Sequence, residues 1–286
     1  MISPRFFLII FGLMAFRSSS GGPTVKKSHI HFPLFLLPLF ALLGCGEQAA
    51  PRYIGIISAM DVEIDLLLKE VTIRETKTLG NAVVHVGTLK GKDVVISRAG
   101  IGKINASSGF TAVMDRYDLS QVIFTGVAGG TKDEERVFDQ VVGTKVVEHD
   151  YGYQGNDGFV WCGGDPGRFE PGEYYECDST FVDLAYESSL KVLKDQMVFK
   201  GVIASGDQFV ASADYVAYLN KKFDAYACEM EGAAVAKVCQ TYEKPFVIMR
   251  TLSDKADGMA HESYADFMDE AAEQSNAIVL QMLESL

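Results

Sequence analysis

Short strand-like runs that stop at glycine-rich bends and give way to helical stretches predict an α/β domain. In such a domain a central mixed, twisted β-sheet is flanked by helices and a ligand sits at the strand ends. Three observations carry this class. From Tyr53 onward, β-branched runs alternate with amphipathic stretches. Carboxylates recur close to where runs stop, at Glu63, Glu231 and Asp254. Finally, 286 residues, 48% of them hydrophobic and without a low-complexity tract or internal repeat in the body of the chain, suit one large domain.

The chain opens on two apolar runs, Phe6 to Phe16 ("FFLIIFGLMAF") and Phe32 to Leu43 ("FPLFLLPLFALL"). Each is shorter than the roughly 18 residues at which a spanning helix is read. The second run follows Lys26 and Lys27 and leads into "LLGC" at Leu42 to Cys45. Charged region, apolar region and small-residue cleavage site stand in the order of an export signal. The stretch resembles a bacterial lipoprotein signal. That resemblance implies cleavage before Cys45, a lipid on its sulfur, a tether over 45–52 and a folded domain over 53–286. It also implies attachment to a membrane outside the cytoplasm, with Gly46 offering no aspartate retention signal, so the outer membrane is expected. Residues 1–24 are superfluous to this reading; a start near Val25 or two signal-like segments in tandem would account for them.

The elements of the domain follow in order. "YIGIISAM" (53–60) reads as a first strand and "DVEIDLLLKEV" (61–71) as an amphipathic helix. "AVVHVGTLKGKDVVISRAG" (82–100) reads as two hairpin-related strands around a Lys-Gly turn, and a helix follows "GIGKINAS" (100–107). "QVIFTGVAGG" (121–130) is a buried strand ending in a glycine-rich bend. "VVGTKVVEHD" (141–150) and "VIASGDQFV" (202–210) are further strands. "ACEMEGAAVAKVC" (227–239) reads as a helix of small apolar residues, "PFVIMRTLSD" (245–254) as a strand, and Ser263–Leu286 as the last helix.

Within 227–239 two glutamates flank Met230. On a helix they point about 200° apart. Glu231 then shares a face with Ala234, Val235 and Val238 and looks inward, whereas Glu229 turns to the wetter side near Lys237 and Gln240. A buried, unpaired carboxylate costs several kcal/mol, so Glu231 needs a partner or a task.

Charge and cysteines narrow the function. The formal charge is -12 and the isoelectric point about 4.9. Removal of residues 1–44 takes away Arg5, Arg17, Lys26 and Lys27 but no acid, which brings the charge to -16. Nucleic acid and anionic membranes reward basic patches, so neither is the expected partner, and a small molecule is. Of five cysteines, Cys45 is the lipid acceptor; Cys228 and Cys239 lie on one predicted helix, about 16 Å apart and too far to bridge, while Cys162 and Cys177 share a glycine-rich loop and are able to. With no Cys-x-x-Cys or His-x-x-His spacing and scattered histidines, no metal site is expected, and no cofactor.

In order and spacing, "GIISAMDVEI", "GIGKINAS", "TGVAGG", "ASGDQFV", "CEMEGAAVAKVC" and "RTLSDKAD" resemble the 5'-methylthioadenosine/S-adenosylhomocysteine nucleosidases. The resemblance spans roughly 52–286. It implies the purine nucleoside phosphorylase-like fold, a homodimer, adenine nucleoside thioethers as substrates and water as nucleophile. Glu63 then corresponds to the water-activating glutamate, with Asp61 left in solvent. Asp254, oriented by Ser253, corresponds to the acid that protonates adenine N7. Phe209 stacks on adenine and the Val210 backbone reads its edge. Met230 packs on the ribose and Glu231 accepts its hydroxyls. Val127, Ala128 and Gly129 form the small-residue wall, and Met60, Ile101 and Tyr264 line the 5'-alkylthio pocket.

The chemistry asks for these groups independently, because cleaving an N-glycosidic bond puts positive charge on the sugar and negative charge on the departing base. Two departures stand out. Val127 occupies a position where bacterial members have serine, and Tyr151 to Asp178 matches less well; that region is expected to shape the pocket mouth. Three alternatives remain: a phosphorylase of the same fold, which needs a basic clamp and has only Arg98 and Arg250 nearby; a futalosine-type nucleosidase; and a non-catalytic nucleoside-binding or adhesive surface lipoprotein.

Overall fold

A computed structural model describes residues 52–161 and 173–286. The chain runs β1 (Tyr53–Ser58), α1 (Asp65–Glu70), β2 (Thr72–Leu79), β3 (Ala82–Leu89), β4 (Lys92–Arg98), α2 (Lys103–Arg116), β5 (Leu119–Phe124) and β6 (Val127–Gly130). It continues through β7 (Gln140–Glu148), β8 (Gly152–Gly155), β9 (Gly158–Trp161), β10 (Tyr174–Glu176), α3 (Ser179–Val192), β11 (Val198–Ser205) and α4 (Ala213–Phe223). It ends with β12 (Ala225–Glu229), α5 (Gly232–Thr241), β13 (Phe246–Asp254) and α6 (Ala260–Ser285).

Eleven strands form one mixed sheet in the order β10-β7-β11-β12-β6-β13-β5-β1-β4-β3-β2. The axis of the fold is β13, whose nine residues are all buried. Its first half pairs parallel with β5. Its second half pairs with β6 and also antiparallel with β7. That extra pairing closes β7, β11, β12, β6 and β13 into a ring, while β5, β1, β4, β3 and β2 continue as an open sheet. The α/β class expected from the sequence is therefore the one observed. Central strands buried on both faces explain the continuous Val/Ile runs.

Several elements depart from the expectation. Residues 61–64 are a turn rather than the start of a helix, with Ile64 N donating to Asp61 O at 3.0 Å. Glu63 drives this departure: its carboxylate folds back onto the strand-end amides of Ala59 and Met60. In 121–130 the bend falls at Thr125–Gly126, and 127–130 resume as a strand because β12 and β13 supply partners on both sides. The last helix starts at Ala260 instead of Ser263. The strand β2 and the helices α3 and α4 carried too little pattern to be read. Both helices are capped by side chains, Asp178 accepting from Thr180 N and Phe181 N and Ser212 accepting from Tyr215 N.

The largest correction concerns 227–239. Residues 225–229 are strand β12, held between β11 and β6, and the helix begins only at Gly232. Small residues fit a strand in a crowded ring as well as they fit a helix, so composition alone did not separate the two. Cys228 is consequently on a strand and Cys239 on a helix; with Cys177 they are buried free thiols. Cys162 and the lipid acceptor Cys45 lie outside the described residues. Among the described residues no helix is long and apolar enough to cross a membrane.

Candidate active site

Segments at or near the ends of β1, β4, β6, β11, β12 and β13, together with Tyr264 of α6, enclose a cavity of about 240 Å³. Its wall includes Met60, Glu63, Ile101, Val127, Ala128, Gly129, Phe209, Val210, Met230, Glu231, Ser253, Asp254 and Tyr264. Every domain residue singled out from the sequence as part of a site is thus brought to one place. Ala59, Gln208, Cys228 and Glu229 also line it and were not foreseen. Among the lining residues there is no lysine or arginine.

Glu63 is the most constrained of the acids. One carboxylate oxygen accepts from Ala59 N at 3.0 Å and Met60 N at 2.9 Å, and the other accepts from Val127 N at 3.1 Å. The Val127 contact uses the backbone, so it does not depend on the side chain that replaces serine. Burial raises the Glu63 pKa above 4.5, opposed by the Arg250 charge and by these three amides. The carboxylate therefore keeps a fixed direction together with more than ordinary basicity.

Asp254 ends β13. It accepts from Ala256 N at 2.7 Å and from Ser253 Oγ at 2.9 Å, so Ser253 does orient it. Burial raises its pKa above the ordinary aspartate value, and the two donors oppose that rise. Gly129 permits this approach, since a Cβ there would stand 2.8 Å from Asp254 Oδ1.

Glu231 occupies the N-cap of α5 without bonding the helix's own amides. Instead it accepts from Gly102 N, across the cavity, at 2.7 Å. Burial, followed by the charge of Glu229, pushes its pKa to about 8.

Glu229 corrects the sequence reading, which turned it toward solvent: it is 7% exposed. As the last residue of β12 it pairs with buried Arg250 at 2.7 Å. It also accepts from the Ser205 hydroxyl and from the amides of Glu231 and Gly232. The Arg250 guanidinium carbon lies over Phe124, 4.1 Å from the ring centroid. The arginine considered as a phosphate clamp is thus committed to a structural carboxylate. Glu229 earned no attention in the sequence because its partner lies 21 residues away on another strand.

The remaining wall is apolar and partly open. Phe209 is 47% exposed and meets Tyr264 edge-to-face at 5.5 Å. The Tyr264 hydroxyl approaches Met60 Sδ at 3.5 Å. The loop carrying Phe209 and Val210 is braced by Asp207, which accepts from Lys103 N at 2.7 Å and donates its own amide to Asp150. Lys103 in turn ion-pairs with Glu148 and Asp150. None of the described residues in 151–178 lines the cavity. Trp161, expected at the mouth, packs instead on Phe223 and Tyr174. Asp61 stays in solvent, as expected, and pairs with Arg98.

Chemically, the cavity can hold a flat apolar ring against Phe209 and a polyol against Glu231. It presents two further carboxyls of raised pKa on separate walls. Comparison with known proteins agrees with that reading. The family model described as "Phosphorylase superfamily" matches residues 53–284. A 5'-methylthioadenosine/S-adenosylhomocysteine nucleosidase of Bacillus thuringiensis is 38% identical over 82% of this chain and 99% of its own. The nucleosidase of that name from Neisseria meningitidis, solved with methylthio-immucillin-A, superposes with a TM-score of 0.74 at 32% identity, covering 82% of this chain and 100% of the other. Futalosine hydrolase of Helicobacter pylori gives 0.73 at 32% identity, covering 82% and 98%.

Proposed function

This chain belongs to the phosphorylase superfamily and is a hydrolase of N-glycosyl bonds, and we propose that it cleaves 5'-methylthioadenosine and S-adenosylhomocysteine to adenine and the 5-thioribose product. One observation carries the hydrolytic reading: Glu63, Glu231 and Asp254 meet around a cavity whose wall offers no cation for phosphate. In the proposed reaction Asp254 gives a proton to adenine N7 as the glycosidic bond breaks. Glu63 takes a proton from the water that adds to C1'. Glu231 accepts the ribose hydroxyls, contacts that strengthen as the sugar gains positive charge. Phe209 stacks on the base while Val210 backbone reads its edge, Met230 packs on the ribose, and Met60, Ile101 and Tyr264 surround the 5'-thioether.

A futalosine-type substrate is the second reading, favoured by the similarity to the Helicobacter pylori enzyme. Adenine release by the purified protein from methylthioadenosine, S-adenosylhomocysteine and futalosine decides between them. Methylthioadenosine should be cleaved at least as well as futalosine; a strong preference for futalosine would reverse the assignment.

The proposal extends to location and assembly. Cys45 is taken as a lipid acceptor that ties the enzyme to the outer membrane of a two-membrane bacterium, since two or three acyl chains hold a soluble domain firmly. Membrane fractionation of the native protein beside Cys45→Ala tests this: the native form should pellet with membranes, and equal solubility of both would refute it. A homodimer is proposed on the family likeness and on the exposed apolar side chains of Ile101 and Ile104. Sedimentation gives the mass directly.

A further inference from the structure

A second, open groove of about 400 Å³ adjoins the active cavity and shares Ala59, Met60 and Ile101 with it. Those shared residues lie on the side assigned above to the 5'-thioether. Beyond them the groove turns polar, lined by Asp61, Asn81, Arg98, Gly100 and Asn105. Asn81 and Asn105 are occupied in shaping its wall. Asn81 donates to Ala99 O at 2.8 Å and Asn105 to Ile101 O at 2.8 Å, which fixes the loop that carries Gly100 and Ile101.

Asp61 and Arg98 are the two charged side chains of this lining. Arg98 Nε lies 2.8 Å from Asp61 Oδ1 but finds no acceptor at a hydrogen-bonding angle. The pair is therefore a charge contact that leaves donor and acceptor capacity unspent. The side chain of Arg98 is 28% exposed and that of Asp61 76%, so both remain within reach of a ligand. His85 is the neighbouring titratable group that feels the Asp61 charge; its ring bonds Thr76 Oγ1.

We propose that this groove is the subsite for a zwitterionic α-amino-acid tail on the 5'-sulfur, with Arg98 receiving the carboxylate and Asp61 the ammonium. The assignment rests on the activity proposed above and deepens it, because only the homocysteine substrate carries such a tail. A methyl group ends within the apolar part of the cavity. The homocysteine chain continues past the sulfur and ends in one negative and one positive group. An opposed, closely spaced Arg/Asp pair matches that pattern, whereas a tail of single charge would meet a like charge beside its partner.

The test compares S-adenosylhomocysteine, methylthioadenosine and 5'-butylthioadenosine as substrates of the full-length protein. Arg98→Met and Asp61→Asn should each lower kcat/KM for S-adenosylhomocysteine by roughly three- to fivefold, the upper scale of an exposed ion contact. The two uncharged-tail substrates should change by less than about twofold on the same scale. Raising the salt concentration should weaken only the wild-type reaction with S-adenosylhomocysteine. Equal effects on all three substrates, or no effect on any, would overturn the subsite. If the wild-type protein cleaves none of them, the activity itself is wrong and the subsite falls with it; if it cleaves methylthioadenosine and butylthioadenosine normally, a failure belongs to the subsite alone.

Discussion

Removing the charge of Glu231 should stabilise the empty protein while damaging the enzyme. Burial and the neighbouring Glu229 lift this carboxyl from 4.5 to about 8. In the unfolded chain the same proton leaves near the ordinary value. Between the two pH values the folded protein holds a proton that the unfolded chain has lost, so rising pH favours unfolding. The stabilising contribution is full below about 4.5 and gone above about 8. At ~1.36 kcal/mol per pH unit that span has a ceiling of about 5 kcal/mol. Water that enters the open cavity on ionisation screens much of that penalty, which brings the expected difference for Glu231→Gln to about 2 kcal/mol. For a domain of this size about 2–4 °C accompanies each kcal/mol. The midpoint of ligand-free thermal unfolding should therefore coincide for variant and wild type near pH 4.5, and the variant should exceed wild type by roughly 4–8 °C near pH 8.5. Turnover of the variant should suffer in both kcat and KM. Parallel melting curves across the range, or a gap that closes as pH rises, would refute the reasoning, and so would a loss confined to KM.

Other substitutions probe the remaining groups. Glu63→Gln should cut turnover by about 10²–10⁴-fold while a substrate analogue still binds, as titration calorimetry would record; near wild-type turnover would move the base elsewhere. Asp254→Asn keeps an acceptor and a donor near adenine but has no proton to give, so single-turnover adenine release should slow by a comparable ~10²–10⁴-fold. Gly126→Ala places a methyl group against the Glu63 carboxylate. It should cost about 10²-fold in kcat through misplacement, with circular dichroism unchanged.

Much of the site was legible because its residues sit where strands stop, and glycine-rich bends advertise those points in one dimension. Glu231 and Asp254 stood near such glycines, at Gly232 and Gly258, and Glu63 followed the end of the first strand. What could not be read depended on partners distant in sequence. Glu229 looks like a wet helical residue until Arg250 appears beside it from β13. Strand β12 looks like a helix until β6 and β11 flank it. The ring closure by β7 and β13 is a tertiary pairing with no local signature. The expectation that Tyr151 to Asp178 shapes the pocket mouth rested on its weaker match to the resembled family, with no contact behind it; among its described residues Trp161 donates to Glu148 O and packs on Phe223, away from the cavity.

The central claim is that water, and not phosphate, is the nucleophile in a cavity whose wall holds carboxylates and no cation. The most direct test is product analysis after the purified protein acts on methylthioadenosine with and without phosphate. The account predicts adenine and 5-methylthioribose at the same rate in both conditions. Phosphate-dependent adenine release with formation of 5-methylthioribose 1-phosphate would contradict it.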